Sequence, residues 1–354
     1  MLMNYKSHIK HFLKITKYYK KWIRQHSSQT NLNLKPPWKV MFFGTDEFSV
    51  CSLDKLYSTC REGSVINQLE VVTSVKNKAN PVQRYAVSNK IQFHNWPCGN
   101  VDQKFDIGVV VSFGKLIPKS IIHEFPLGMI NVHASLLPRW RGAAPIIHAL
   151  ASGDEVTGVT IMRIQPHKFD LGEIIKQKSI EITDNTTQDQ LTKELANIGA
   201  SLLVDTIKEL PTCIKNATPQ PENGVTYAPR INIQSSRINW LMMDSNTIYN
   251  LYRALKGLYH LHCTWKGIPV KFIDVGRLNT ESSSQFTNNP SSQISNIPGY
   301  VYYSKNHNHL RIQCKDGKWI VVNELIVHGR KPMKSKDFYN GFMSKCHPKL
   351  HMFT

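Results

Sequence analysis

From residue 38 onward, apolar runs of strand length alternate with segments of helical length. Residues 38–44 form a short apolar run closed by glycine, the pattern of a buried first strand. Thr45 and Asp46 then offer caps for a helix running toward Tyr57. Further strand-like runs occupy 69–75, 107–113, 129–137 and 158–164, with helical segments at 81–90, 143–151 and 188–210. This alternation predicts an α/β domain built on a doubly wound, mostly parallel sheet with helices on both faces. In such sheets ligands bind at the carboxyl ends of the strands, near the switch in strand order.

The pattern changes after residue 213. Residues 214–236 hold three prolines, Asn216, Gly224 and a Ser235-Ser236 pair without periodicity, which reads as a linker. A helical stretch at 245–258 follows. Short strands then alternate with turns at 262–265, 268–275, 299–303, 309–314 and 319–327. With Lys315-Asp316-Gly317-Lys318 as a hairpin signal, these predict a small β-barrel. The Ser- and Asn-rich residues 279–297 read as a surface loop.

Charge sharpens this division. The 354 residues contain 44 Lys or Arg and 25 Asp or Glu, a net charge of +19. Residues 1–39 hold nine basic residues and no acid; 40–229 hold 18 basic and 19 acidic; 230–354 hold 17 basic and six acidic. A near-neutral body between two basic parts suggests a targeting segment, a catalytic domain and a polyanion-binding module. Lys10, Lys14, Lys17, Lys21 and Arg24 fall on one side of a helix, opposite Phe12, Ile15, Tyr19 and Trp22. A basic amphipathic helix followed by Ser27-Ser28-Gln29 reads as a mitochondrial transit peptide, although it is rich in Lys rather than Arg. A membrane-surface or partner-binding helix is the alternative. The predicted organisation is thus a presequence at 1–35, a catalytic domain at 38–213, a linker at 214–236 and a basic barrel at 237–349.

No apolar stretch approaches the ~18 residues of a membrane-spanning helix, which argues for a soluble chain. Seven scattered cysteines form no CxxC pair, against both a disulfide framework and a zinc knuckle. His260, His262 and Cys263 cluster without a second group of ligands and read as strand residues, so no metal is expected.

The first turn has Gly44 alone, not a dinucleotide fingerprint, and there is no P-loop. Candidate chemistry lies on later strands. In the string Asn131 to Gly142, alternation places Asn131 and His133 on one face near a strand end. An amide donor beside an imidazole suits a reaction that develops an oxyanion and moves a proton. The same pair also fits a sheet end satisfied by backbone groups. Asp170 follows another strand, where a carboxylate can reach His133, or can equally serve as a turn or cap residue before Gly172. Arg139 and Arg141 flank Trp140 and read either as anion ligands or as solvated loop residues.

The string Asn131–Gly142 resembles the active-site signature of the 10-formyltetrahydrofolate-dependent formyltransferases. Its extension through Ala143-Ala144-Pro145-Ile146, with residues 157–162, 169–172, 226–231, 238–240 and 336–341, is similar to the branch that formylates methionyl-tRNA, mitochondrial type. The likeness spans roughly residues 38–345. It implies a Rossmann-like formyltransferase domain followed by an OB-like barrel that grips tRNA. It also implies Asn131, His133 and Asp170 as the catalytic trio, and 10-formyltetrahydrofolate as formyl donor. Ser135, Leu136, Leu137 and Pro138 match the folate-contacting stretch, and Ser112, Phe113, Gly114 and Leu116 match a loop lining the pterin pocket. Methionyl-tRNA is the implied acceptor, and a monomer in the mitochondrial matrix is expected. The segment 75–81 is shorter than the basic loop that bacterial relatives place on the acceptor stem. Two other functions compete: the same transfer to a small-molecule amine, and a non-catalytic RNA-binding protein.

Overall fold

The alternating runs of the first half assemble into a seven-stranded sheet. In the computed structural model, residues 34–74, 77–99, 104–166, 169–278 and 297–354 are described. The amphipathic segment 10–24 lies outside them, as do residues 75–76 of the short loop and all but the last residue of the 279–297 stretch. Trp38–Thr354 cluster as one unit. The strands are Trp38–Gly44 (β1), Ile66–Thr73 (β2), Phe93–Asn95 (β3), Ile107–Val111 (β4), Met129–His133 (β5), Val156–Arg163 and Ile174–Glu181. A two-residue strand, Arg141–Gly142 (β6), lies between them in sequence, so the last two are β7 and β8.

The sheet order is β3-β2-β1-β4-β5-β7-β8, parallel from β3 to β5 and antiparallel from β5 through β8. β4 is buried at every position, which is why it reads as an unbroken apolar run. β8 is the opposite case. It forms an edge, exposes much of its length and carries Lys176 and Lys178, so it gives no apolar signal and escapes the sequence reading. One core lies around Met41, Phe43, Val72, Val110, Phe113 and Phe125.

The first helix, Glu47–Glu62, starts as its capping residues predict. Asp46 accepts the Ser49 amide while the Ser49 side chain takes the Asp46 amide, and Gly63 ends the helix in the left-handed region. The predicted strand 129–137 stops at His133 instead. Beyond it the Leu137 amide bonds the Thr160 side chain of β7 rather than a backbone carbonyl of the ladder. Residues 134–140 thereby become a loop over the end of the sheet.

The second half forms an antiparallel sheet. Leu261–Trp265 (β10), Ile268–Arg277 (β11), Val301–Ser304 (β12), His309–Gln313 (β13) and Trp319–Val327 (β14) take the order β10-β11-β14-β13-β12, with Met333–Lys334 (β15) on β14. The C-terminal residues join its two edges. Phe353 bridges Trp265 of β10 and Met352 bridges Tyr300 beside β12. This leads the sheet toward the closure expected of a barrel and covers strand edges that would otherwise be open. Trp240, Trp265, Phe272, Phe338 and Phe353 fill the interior.

Residues 214–236 are fastened down rather than free. Tyr227–Ala228 (β9) pairs in parallel with β6, and Thr218 bridges Ile174. The second sheet's core also receives Ile147 from the helix Pro145–Ala151. Among the described residues, no helix is long and apolar enough to cross a membrane.

Candidate active site

A cavity of ≈ 680 Å³ opens at the carboxyl ends of β4 and β5. Asn131, His133 and Asp170 line it together, and so do Ser112, Phe113, Gly114 and Leu116. Asn131 and His133 share one face of β5, with Val132 between them buried in the sheet. Phe48, Val110, Ile117, Met162 and Ile164 add apolar groups to the wall. A site with apolar walls and a few convergent polar groups suits a flat, partly polar ring such as a pterin.

His133 is 6% exposed and is gripped from both sides. Its Nε2 lies 2.9 Å from the Trp140 carbonyl, and its Nδ1 lies 3.5 Å from Asp170 Oδ1. A carbonyl only accepts, so Nε2 carries a proton. In neutral imidazole the lone pair is then on Nδ1, facing the carboxylate. Asp170 Oδ2 accepts the Gly142 amide at 2.9 Å.

Both residues that face the imidazole nitrogens hold left-handed backbone: Trp140 at φ 62° and Asp170 at φ 53°. For side-chain-bearing residues this conformation costs on the order of 1–3 kcal/mol each and persists where the surroundings impose it. Those surroundings are visible. The Trp140 amide donates to Thr226 Oγ1 at 2.9 Å and its Nε1 to Asp154 at 2.7 Å, and its ring stacks on His148. The Gln220 amide nitrogen donates to the Asp170 and Gly172 carbonyls at 2.9 and 2.8 Å. Gly172 itself lies so close to β7 that an added Cβ would fall 1.7 Å from the Arg163 carbonyl oxygen.

Arg139 and Arg141 both have partners within the chain. Arg139 makes a two-pronged bond to Asp154, at 2.8 and 2.6 Å, and lies 4.4 Å over the Trp140 ring. Arg141 reaches Gln220 Oε1 through Nε and Nη2, at 2.9 and 2.6 Å. Both therefore brace the loop rather than lie loose in solvent.

The Ser135–Pro138 stretch is not part of the cavity lining. Ser135 is buried with its hydroxyl on the Arg139 carbonyl, and Leu137 is buried too. Thr160 anchors this stretch: its hydroxyl donates to the Ser135 carbonyl at 2.6 Å and accepts the Leu137 amide at 3.0 Å. Gln177 adds a bond to the Leu137 carbonyl at 2.9 Å.

Asp46 also lines the cavity. Burial, the largest influence, raises its carboxyl above the ordinary range against the opposing bonds from Ser49 and Ser112. Gln188, Thr192 and Arg230 line it as well. Thr160, Gln177, Gln220 and Arg230 escaped the sequence reading as individual site residues. Gln220 and Arg230 fall in the non-periodic 214–236 segment, where spacing carries no information about facing. The His260–Cys263 cluster goes to β10 and its surroundings, with His262 Nδ1 3.0 Å from Ser236 Oγ. Among the described residues no group of three or more His, Cys, Asp or Glu is arranged to hold a metal.

Comparison with known proteins matches residues 101–207 to the formyl transferase family and 230–343 to the formyl transferase C-terminal domain. The mitochondrial methionyl-tRNA formyltransferase of Homo sapiens is 40% identical over 319 residues, covering 89% of this chain and 80% of its own. The chain belongs to the methionyl-tRNA formyltransferase family. The mitochondrial relative from Rattus norvegicus is 38% identical, with 89% and 81% coverage. In fold, the family's Rossmann-like domain and following β-domain also appear in a sugar 3N-formyl transferase crystallised with dTDP and 5-N-formyl-THF. That structure aligns at TM-score 0.59 and 22% identity over 84% of this chain and 100% of its own.

Proposed function

We propose that this protein transfers the formyl group of 10-formyltetrahydrofolate to the free amine of methionyl-tRNA, making formylmethionyl-tRNA for the initiation of mitochondrial translation. The observation that carries this reading is the convergence of Asn131, His133 and Asp170 on one cavity in a chain 40% identical to a mitochondrial methionyl-tRNA formyltransferase.

The folate supplies an activated formyl group on nitrogen, so the chain needs no nucleophile of its own. Asn131 donates a hydrogen bond to the formyl oxygen as negative charge builds there. His133 accepts the amine's proton at Nδ1, the nitrogen left unprotonated when Nε2 donates to the Trp140 carbonyl. Asp170 then faces the new N–H and stabilises the imidazolium. The proton passes onward to the departing folate nitrogen. Ser112, Phe113, Gly114 and Leu116 hold the pterin end, and Ser135–Pro138, fixed by Thr160 and Gln177, support the loop that follows the lining residue Ala134. Arg230, which also lines the cavity, suits a phosphate at the acceptor end.

The basic second sheet binds tRNA phosphates, residues 1–35 direct import to the matrix, and the enzyme acts as a monomer. A reporter fused to residues 1–35 that stays diffuse in the cytosol overturns the import reading. For the chemistry, the full chain is assayed with 10-formyltetrahydrofolate and either methionyl-tRNA, uncharged tRNA or a small amine. Formylation of methionyl-tRNA alone is expected, with His133→Ala slower by about 10²–10⁴-fold. Formylation of the small amine instead, or wild-type turnover in His133→Ala, overturns the reading.

A further inference from the structure

We infer that Gln220 is a positioning residue for formyl transfer: its side-chain amide sets the Asp170 carboxylate against His133 and locks it to the loop that carries Gly142. The inference rests on the catalytic reading of Asp170 given above. Gln220 lies in the segment between the two sheets, outside every motif that marks the site. Its Nε2 donates to the carbonyls of Asp170 and Gly172 at 2.9 and 2.8 Å, and its Oε1 accepts Arg141 Nε and Nη2 at 2.9 and 2.6 Å.

The orientation of this amide is not ambiguous. Only the NH2 end can face two carbonyls, and only the oxygen end can face a guanidinium. Both donor hydrogens and the acceptor oxygen are used. One side chain thus spans the two segments that hold the carboxylate. It grips the backbone of Asp170, which sits at φ 53° and needs outside support. It also grips Arg141, whose neighbour Gly142 donates its amide to Asp170 Oδ2. The gap from Asp170 Oδ1 to His133 Nδ1 is 3.5 Å, so a small drift of the turn removes the carboxylate from reach.

The side chains nearest to it in length or chemistry do not reproduce these bonds. Glu keeps the length and the acceptor toward Arg141 but sets an oxygen against two carbonyls. Met keeps the length and offers neither function. Asn is one methylene short.

The test uses the full chain and compares wild type, Gln220→Met, Gln220→Glu, Asp170→Ala and the Gln220→Met/Asp170→Ala double variant. Turnover, KM for both substrates and thermal unfolding are measured for each. Misplacing a catalytic group by about 1 Å costs on the order of 10²-fold. We expect both single Gln220 variants to lose about 10–100-fold in kcat. KM values should stay within about threefold, because the binding wall does not include Gln220. On the Asp170→Ala background, Gln220→Met should change turnover by less than about twofold, since its effect runs through the missing carboxylate. If Gln220→Met does not fold, the isosteric Gln220→Glu decides.

A slow Asp170→Ala combined with wild-type turnover in the Gln220 variants overturns the inference alone. So does a Gln220→Met loss that persists in full on Asp170→Ala, because that loss is then a general structural one. Wild-type turnover in Asp170→Ala itself removes the catalytic reading of the carboxylate, and the inference with it.

Discussion

At the scale of single residues, His133 is defined by what its neighbours cannot do. The Trp140 carbonyl cannot donate, so it dictates which imidazole nitrogen carries the proton and leaves the other facing Asp170. Gly142 works by the absence of a side chain. It sits at φ 125°, and a Cβ there would lie 2.6 Å from the Ala228 carbonyl oxygen. We expect Gly142→Ala to destabilise the protein by about 1–3 kcal/mol, as overpacking does. Its amide would also shift away from Asp170, lowering turnover at least about tenfold. Thermal unfolding and the formylation assay read the two effects separately, and an unchanged turnover would show that the Gly142–Asp170 bond is dispensable. Spacing along β5 was enough to put Asn131 and His133 on one face, because strand periodicity is local. It was silent on Asp170, whose place depends on a left-handed turn held by a residue 50 positions away.

At the scale of elements, apolar runs located the buried strands β1, β4 and β14 and missed the exposed edge strand β8. The difference is physical: a strand packed on both faces must be apolar throughout, whereas an edge strand meets water and carries lysines. Strand β13 holds a further consequence. His309 Nε2 accepts a hydrogen bond from Arg311 Nε at 3.0 Å, and its ring stacks on His307. Burial first, then the neighbouring charges of Arg311 and His307, pushes His309 down from 6.5 to about 4. The unfolded chain therefore takes up this proton before the folded one does. The contribution to stability is intact above pH 6.5 and is lost as the pH falls from 6.5 to about 4. Thermal unfolding across that window should show a falling midpoint that is flatter in His309→Gln. An identical slope in the two proteins would mean that His309 is not the group responsible.

At the scale of the whole molecule, the two sheets are not independent modules on a loose tether. Arg253 on the helix Ser245–Leu255 is 4% exposed and donates to the Thr183 carbonyl at 2.8 Å, while residues 218–230 supply Thr226, Ala228 and Gln220 to the site. Removing residues 230–354 would therefore disturb both halves, and salt is the cleaner probe of their division of labour. Affinity of the full chain for methionyl-tRNA should fall at least about tenfold between 50 and 200 mM salt, as phosphate contacts require. The KM for 10-formyltetrahydrofolate should barely move. Equal salt sensitivity of both substrates would contradict a tRNA grip by the basic sheet. Periodicity, composition and charge determined the α/β class, the antiparallel second half, the basic module and the motif that holds two of the three candidate catalytic residues. All of these arise from local pattern or from summed charge. Only the tertiary structure decided that the apparent linker braces the active site, that Arg139 and Arg141 are tied to Asp154 and Gln220, and that residues 351–354 join the edges of the second sheet. Each of those depends on a hydrogen-bonding group meeting a partner remote in sequence, and no local periodicity encodes such a meeting.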